Sequence, residues 1–168
     1  MILYPNLYCK SVLEITIECL QNHNIRGLIL DVDNTLIDID RNMDPKVKDW
    51  VDELKENGIK LCIVSNTNKV DKVKKVSETL DLPYFYFAKK PLKSGFKKAK
   101  ELLKLEYKEI AAVGDQIMTD VVGANRCKIF SILVEPISEK DIFITKIKRP
   151  IEKIIINRYL SKIKKEKV

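Results

Sequence analysis

Short apolar runs alternate with helix-like segments along most of this chain. Five runs have strand length and are rich in β-branched or aromatic residues: GLILDV (27–32), KLCIVS (60–65), YFYFA (84–88), EIAAVG (109–114) and IFSILV (129–134). Alternating strands and helices predict a mostly parallel sheet wrapped by helices. At 168 residues, the chain is long enough for one domain with a substantial core and too short for two domains of typical size. We therefore expect a single α/β domain over residues 1–168.

Segment 44–57 carries the clearest helix signals. Asp44 is a suitable N-cap, Pro45 suits the first helical position, and Gly58 ends the pattern. Apolar residues at helical spacing form one face of this segment and of two later ones: Val47, Trp50, Val51 and Leu54; Val70, Val73, Val76 and Leu80; Phe96, Ala99, Leu102 and Leu103. We expect these faces, Trp50 included, to be buried core.

Polar residues follow four of the predicted strands. Asp31 and Asp33 lie at the end of the first, Ser65 and Asn66 at the end of the second, Lys89 and Lys90 after the third, and Gly114 and Asp115 at the end of the fourth. In an open parallel sheet the ligand site lies at the carboxyl ends of the strands, so these groups should converge on one crevice. For a lone Asp-x-Asp, a strand followed by an Asx turn would be the favoured interpretation. The full set suits Mg²⁺ together with a phosphate, because carboxylates bind the cation while a hydroxyl and an ammonium bind the anion.

Composition excludes several classes of protein. The chain is 45% hydrophobic and 33% charged, as expected for an ordinary soluble globular protein. No apolar run approaches the roughly 18 residues of a membrane span, and the first 15 residues lack the pattern of a signal peptide. We expect a cytoplasmic protein that can sit peripherally at the inner face of the membrane. The four cysteines form no C-x-x-C pair, which favours buried reduced thiols over a zinc site.

The net positive charge lies at the C-terminus. Residues 145–168 hold seven Lys, two Arg and two Glu, a balance of +7 that equals the charge of the whole chain. Such a basic segment points to an anionic surface. If residues 151–164 are helical, Ile155, Ile156, Tyr159, Leu160 and Ile163 lie broadly together. This helix could pack on the domain, or it could lie on anionic lipid, where each Lys or Arg adds about 1 kcal/mol.

The ordered polar motifs resemble those of the haloacid dehalogenase superfamily. They read DVDNT (Asp31, Asp33, Thr35), VSN (Ser65), KKP (Lys90, with Lys89 as the alternative) and GDQIMTD (Asp115, Asp120). From about Pro5 to Asn157 the chain looks like the small YqeG-type phosphatases of subfamily IIIA, which are similar to phosphatidylglycerophosphatases. The resemblance implies a Rossmann-like three-layer sandwich with a sheet of about five strands. Intervals 36–64 and 67–88 leave no room for a large cap domain.

The resemblance also implies a role for each motif residue. Asp31 would be the nucleophile that forms an aspartyl-phosphate, and Asp33 would be the general acid and base. Ser65 and Lys90 would bind the phosphate and take part in catalysis. A set of Mg²⁺ ligands is implied as well: Asp31, Asp33 through its backbone carbonyl, Asp115 and Asp120.

Several assignments stay open on the sequence alone. Asp120 could hold a metal-bound water or cap a helix. Asn34, Thr35 and Asn66 are secondary candidates for contact with the phosphate or the leaving group. The expected substrate is phosphatidylglycerophosphate, held in or near a membrane. The alternatives are a soluble sugar phosphate or nucleotide, or a non-enzymatic nucleic-acid-binding module motivated by the basic tail, although no specific nucleic acid is expected.

Overall fold

One parallel sheet forms the centre of the fold. The computed structural model describes the backbone of residues 1–138 and 143–166, and the side chains of residues 1–138 and 150–164. The strands within these residues are β1 (Leu7–Cys9), β2 (Gly27–Leu30), β3 (Lys60–Val64), β4 (Tyr84–Phe85), β5 (Ile110–Gly114) and β6 (Phe130–Val134). They are ordered β1-β6-β5-β2-β3-β4, and every neighbouring pair is parallel. The predicted α/β architecture is confirmed.

Helices cover both faces of this sheet. They are α1 (Ile17–Asn22), α2 (Pro45–Glu56), α3 (Val70–Leu80), α4 (Lys93–Leu103), α5 (Val122–Arg126) and α6 (Phe143–Glu166). Successive residues of a strand point to opposite faces. Accordingly, Leu28 and Leu30 join the core cluster that contains the buried side chains of α2 and α3, whereas Ile29 joins the cluster of α4 and α5. The result is the three-layer sandwich that the family resemblance implies, with six strands among the described residues where about five were expected.

Helix α2 matches its prediction at both ends. The Asp44 side chain accepts a hydrogen bond from the Lys46 amide at 2.9 Å, and Gly58 follows the helix with a φ of +78°. Trp50 is buried and donates its indole N–H to the Ile15 carbonyl at 2.9 Å. A buried indole needs such an acceptor, which explains how Trp50 serves as a core residue.

Three details of the helices and strands differ from the predictions. YFYFA forms a strand only at Tyr84–Phe85, after which the chain leaves the sheet. Val70 and Leu102 were expected to be buried, but both are exposed. Val70 is the first residue of α3 and lies beyond the layer that packs on the sheet. Leu102 follows Phe96 by six residues, which rotates it away from the buried face because residues three, four and seven apart share a face.

Helix α6 packs against the domain with one side. Ile155 and Ile156 contact the cluster of Ile117, Val121 and Leu133. The Tyr159 ring lies 5.7 Å from the Tyr4 ring, measured between centroids. Leu160 was grouped with this face in the sequence but is exposed. Of the two alternatives for residues 151–164, the structure shows the helix packed on the domain. The side chains of 145–149 and 165–168 in the basic tail lie outside the described residues.

Two further expectations are met within the described residues. Segments 36–64 and 67–88 each hold one helix and one strand, so no large cap domain is inserted there. The thiols of Cys9, Cys19, Cys62 and Cys127 are all free, and all but that of Cys19 are buried. No helix among the described residues combines the length and apolarity needed to span a membrane.

Candidate active site

The chain turns sharply at the end of β2 and separates the two carboxylates of DVDNT. The Asp31 amide donates to the Val113 carbonyl at 3.0 Å, which extends the pairing with β5 by one residue. The Val32 carbonyl then accepts from the amides of Thr35 and Leu36 at 3.2 and 3.0 Å. The same-side rule for alternate strand residues stops applying here, and Asp31 and Asp33 find different partners.

A buried lysine joins two carboxylates at the centre of the site. Lys90 Nζ donates to Asp31 Oδ1 at 2.7 Å and to Asp120 Oδ1 at 2.6 Å. Only 3% of the Lys90 side chain is exposed. By contrast, Lys89 is exposed and its ammonium lies over the Phe87 ring, 4.9 Å from the centroid. The structure thus places Lys90, and not Lys89, in the crevice.

Three acids form a cluster suited to a cation. Asp31, Asp115 and Asp120 each offer one carboxylate oxygen, and these oxygens lie within 4.8 Å of one another. With Lys90 beside them, four ionised groups would carry a net charge of −2. That charge and the all-oxygen donor set fit a divalent cation. The chemistry of these residues is therefore consistent with the predicted metal site.

Asp120 reaches this cluster from a π-helical turn, Ile117–Val121. Its carboxylate also accepts from the Gln116 amide at 3.2 Å. A Cβ on Gly114 would overlap the Asp120 carboxyl group, so the glycine at the end of β5 provides the space for this side chain. The sequence left two roles open for Asp120, holding a metal-bound water or capping a helix. Its position within the acid cluster favours the role at the metal site.

The protonation of the cluster follows from burial. Burial raises the pKa of Asp31 to about 7, and the charge of Asp120 adds to this effect while Lys90 opposes it. Burial by itself would lower the pKa of Lys90, but its attraction to Asp120 and Asp31 outweighs burial and raises that pKa. Lys90 therefore stays charged, and Asp31 is the group of this pair that takes up a proton near neutral pH. A cation bound to Asp31 would compete with that proton.

Asp33 pairs with Lys72, a residue that the sequence reasoning missed. Lys72 Nζ donates to Asp33 Oδ1 from the first turn of α3, and 13% of its side chain is exposed. Nothing in the local sequence separates Lys72 from the surface lysines of α3. Its position directly after the Ser65 loop is the one available signal, because the first turn of a helix that follows a strand faces the ligand crevice.

Ser65 and Asn66 stand at the end of β3. Ser65 is buried, and its Oγ accepts from the Thr67 amide at 3.2 Å. The Asn66 side chain holds the backbone of Lys90: Oδ1 accepts from the Lys90 amide at 2.6 Å and Nδ2 donates to the Lys90 carbonyl at 2.9 Å. In this structure Asn66 positions Lys90, and its predicted contact with the phosphate or the leaving group stays a prediction.

Asn34 and Thr35 complete the turn after Asp33. Asn34 adopts a φ of +57°, and its Oδ1 accepts from the Ser138 amide at 3.2 Å. Its side chain thus ties the turn to the segment that follows β6. Thr35 is buried, and its hydroxyl has no hydrogen-bond partner among the described residues. Thr35 is therefore the better placed of the two to bind a ligand.

Glu152 connects α6 to the site and was also missed. Its carboxylate is buried and accepts from the Ile117 amide at 2.9 Å, at the start of the turn that carries Asp120. A carboxylate at a helical N-terminus is favourable because the amides there lack intrahelical partners. An acid in a basic helix is a weak signal, and only the packing reveals this contact.

Comparison with known proteins gives consistent matches. The family described as haloacid dehalogenase-like hydrolase matches residues 40–128. The "Probable phosphatase YqeG" of Bacillus subtilis is 41% identical over 154 residues, which is 91% of this chain and 89% of that protein. An alignment of this length within 168 residues includes the whole of segment 31–120, and with it every candidate residue from Asp31 to Asp120.

Solved structures agree on the fold. An uncharacterized protein from Listeria monocytogenes serotype 4b has a TM-score of 0.57 at 20% identity, over 70% of this chain and 85% of that one. A HAD phosphatase from Thermococcus onnurineus has a TM-score of 0.52 at 24% identity, over 61% of this chain and 51% of that one. At these identities the likeness concerns the architecture of the sheet and its helices.

Proposed function

The chain belongs to the haloacid dehalogenase-like hydrolases, and from this premise we propose that it is a Mg²⁺-dependent phosphatase acting through an aspartyl-phosphate on Asp31. One observation carries the proposal. The buried Lys90 ammonium bridges Asp31 and Asp120, and both carboxylates belong to a three-acid cluster with Asp115. This arrangement supplies a nucleophile, a fixed positive charge and oxygen ligands within one crevice.

The reaction divides into two displacements. The Asp31 carboxylate attacks the phosphorus atom of a phosphomonoester, and the bond to the leaving alcohol breaks while Asp33 donates a proton to the alcohol oxygen. Asp33 then takes a proton from water, whose oxygen attacks the phosphorus of the aspartyl-phosphate. The phosphorus–Asp31 bond breaks, inorganic phosphate leaves, and Asp31 is restored. Asp33 can serve both steps because it is more exposed than Asp31.

The remaining residues hold the phosphoryl group and the cation. Lys90 and Ser65 would bind phosphoryl oxygens, with the Thr35 hydroxyl as a further donor. Asp31, Asp115, Asp120 and the Asp33 backbone carbonyl would hold Mg²⁺. When bound, the cation supplies positive charge that offsets the phosphoryl oxygens. Lys72 would orient Asp33 toward the leaving group through their ion pair.

We propose phosphatidylglycerophosphate as the substrate and phosphatidylglycerol as the product. Two features support a substrate held in a membrane: no cap domain covers the crevice among the described residues, and the C-terminal segment 145–168 is strongly basic. An uncapped crevice admits a phosphate that protrudes from a larger body. The protein would then act at the cytoplasmic face of an anionic membrane.

The test is Mg²⁺-dependent phosphate release from phosphatidylglycerophosphate in anionic vesicles, beside a panel of soluble phosphomonoesters. Asp31→Asn should lose activity by about 10³-fold or more. Asp49→Asn is the matched control, because Asp49 is exposed on α2. Release from soluble esters alone would keep the mechanism and refute the lipid substrate. If no substrate shows Asp31-dependent release and the protein binds random oligonucleotides, the nucleic-acid-binding alternative replaces the phosphatase.

A further inference from the structure

A second basic region lies beside the crevice, although the net charge of the chain does not reveal it. Residues 1–144 are neutral in sum, yet residues 82–100 contain six Lys and no Asp or Glu. The same segment contains Tyr84, Phe85, Tyr86, Phe87 and Phe96. Lysines and aromatic residues are therefore concentrated at β4, which is an edge strand of the sheet.

Apolar side chains of this segment are presented to solvent. Tyr86, Phe87 and Leu92 are 48%, 54% and 51% exposed, and the lysines 93 and 98 are exposed next to them. We call these five residues the β4 rim. A cavity of about 680 Å³ opens beside three of them, and its lining includes Tyr86, Phe87 and Lys98 together with Tyr84 and Lys89. Exposed apolar groups next to cations form the pattern of a membrane-interface surface.

The backbone of the rim is held in an uncommon conformation. Phe87 and Lys89 have φ values of +50° and +56°, a region that bulky residues rarely occupy. Such a conformation costs free energy and persists where surrounding contacts fix it. Here the Phe87 amide donates to the Thr67 carbonyl at 2.9 Å, and the Leu92 amide donates to the Lys89 carbonyl at 2.9 Å. These bonds fix the backbone of the rim while the Phe87 ring stays exposed, with the Lys89 ammonium 4.9 Å from its centroid.

The segment that carries the β4 rim is bonded to the active-site loop after β3, because the Ala88 amide donates to the Ser65 carbonyl at 3.0 Å. Phe87 and Leu92 lie on either side of Lys90 in the chain, and Thr67 follows the Asn66 that clamps the Lys90 backbone. Lys93 begins α4 at the positive end of the helix dipole, where a cation is unfavourable unless an anion lies near. A surface that binds anions at this point would hold them at the mouth of the crevice.

We propose that the β4 rim binds the surface of an anionic lipid bilayer, with Phe87 and Leu92 entering the interface and the lysines contacting lipid phosphates. Leucine and phenylalanine gain free energy by leaving water for the acyl boundary, whereas a single-stranded nucleic acid would stack its bases on aromatic residues and gain little from the exposed Leu92. The purpose of this membrane contact rests on the proposed function, because the contact would bring Lys90 and Asp31 to a membrane-held phosphate. Binding itself can be measured without turnover.

The experiment is vesicle flotation of the full chain, with phosphatidylcholine vesicles that contain or lack phosphatidylglycerol. The double variant Phe87→Ser/Leu92→Ser should reduce the bound fraction about tenfold, and Lys93→Gln/Lys98→Gln should reduce it about tenfold on anionic vesicles only. The matched control is Leu102→Ser/Lys104→Gln at the far end of α4, which should bind as the unchanged protein does. A far-UV circular dichroism spectrum and a cooperative urea transition like those of the unchanged protein verify folding in every variant.

Three results would overturn the inference: equal binding by rim variants and unchanged protein, loss of binding only on Ile154→Ser in α6, or a preference for random oligonucleotides over anionic vesicles. The two proposals fail separately. If vesicle binding depends on the rim but the lipid phosphate is not hydrolysed, the proposed substrate is refuted and the proposed membrane binding by the rim is retained. Hydrolysis of lipid phosphate dispersed in detergent, without binding to vesicles, would retain the substrate and refute the rim.

Discussion

Replacing Lys90 with methionine should destabilise the metal-free protein and make its stability depend on pH. Methionine keeps much of the side-chain volume but removes the charge that serves Asp31 and Asp120 at 2.7 and 2.6 Å. Those two carboxylates are 10% and 5% exposed, so water compensates little for the lost ammonium. Removing one partner of a buried ion pair costs about 3–5 kcal/mol. We expect a loss in this range at about pH 8.

The loss should shrink as the pH falls. The pKa of Asp31 in the folded protein is about 7, above its ordinary value of 3.8, and it will rise further when Lys90 is absent. A raised folded-state pKa contributes stability below the unfolded-state pKa, and that contribution disappears as the pH rises through the folded-state value. Protonation of Asp31 at about pH 5 therefore relieves part of the repulsion from Asp120.

The assay is urea unfolding in a chelator at both pH values, followed by the same titration in Mg²⁺. Mg²⁺ should recover part of the loss, because a ligand that binds only the folded state stabilises it. Lys48→Met is the control, since Lys48 pairs with Asp52 on the exposed surface of α2 and little change is expected. A loss for Lys90→Met below about 1 kcal/mol at both pH values would refute the argument that Lys90 neutralises a buried acid cluster.

Three further predictions follow from single contacts. Gly114→Ala places a Cβ against the Asp120 carboxyl group, so Mg²⁺-dependent hydrolysis should fall about tenfold or more while the domain still unfolds cooperatively in urea. Trp50→Phe removes the hydrogen bond to the Ile15 carbonyl and should cost about 1–2 kcal/mol of unfolding free energy. Cys19, the only half-exposed cysteine of the four, should be alkylated first in the native protein, as peptide mass mapping would show; alkylation of the buried Cys62 at a similar rate would contradict the fold.

The fold was largely predictable because most of its strands are continuous apolar runs. β1 was missed for a physical reason. Leu7–Cys9 is only three residues long and follows the polar Asn6. Its pairing with β6 is fixed by a distant contact, in which the Asn6 amide and carboxamide exchange hydrogen bonds with Ser131 at 3.1 and 2.9 Å. A single-sequence pattern contains no information about such a partner.

The candidate site was predictable where its residues follow strands and hidden where they lie on helices. Asp31, Lys90 and Asp115 could be placed from topology alone, since the carboxyl ends of parallel strands share one edge. Lys72 and Glu152 depend on how α3 and α6 pack, and this is decided by the whole core. A helix can present any of several lysines to a neighbour, so residue type alone could not select these two.

The net charge of residues 1–144 conceals a basic region, because acidic and basic segments offset each other in the sum. The distribution of these charges argues for a defined orientation at an anionic surface. Residues 38–56, which include α2, contain seven acids and four basic residues, whereas residues 82–100 contain six lysines and no acid. The two segments carry charges of −3 and +6 and partly offset each other in the total. However, α2 and α4 pack in different core clusters on opposite faces of the sheet. An anionic bilayer would attract the face with the β4 rim and repel the face with α2. Because the crevice opens beside that rim, the same field that recruits the protein would turn Asp31 and Lys90 toward the lipid phosphates.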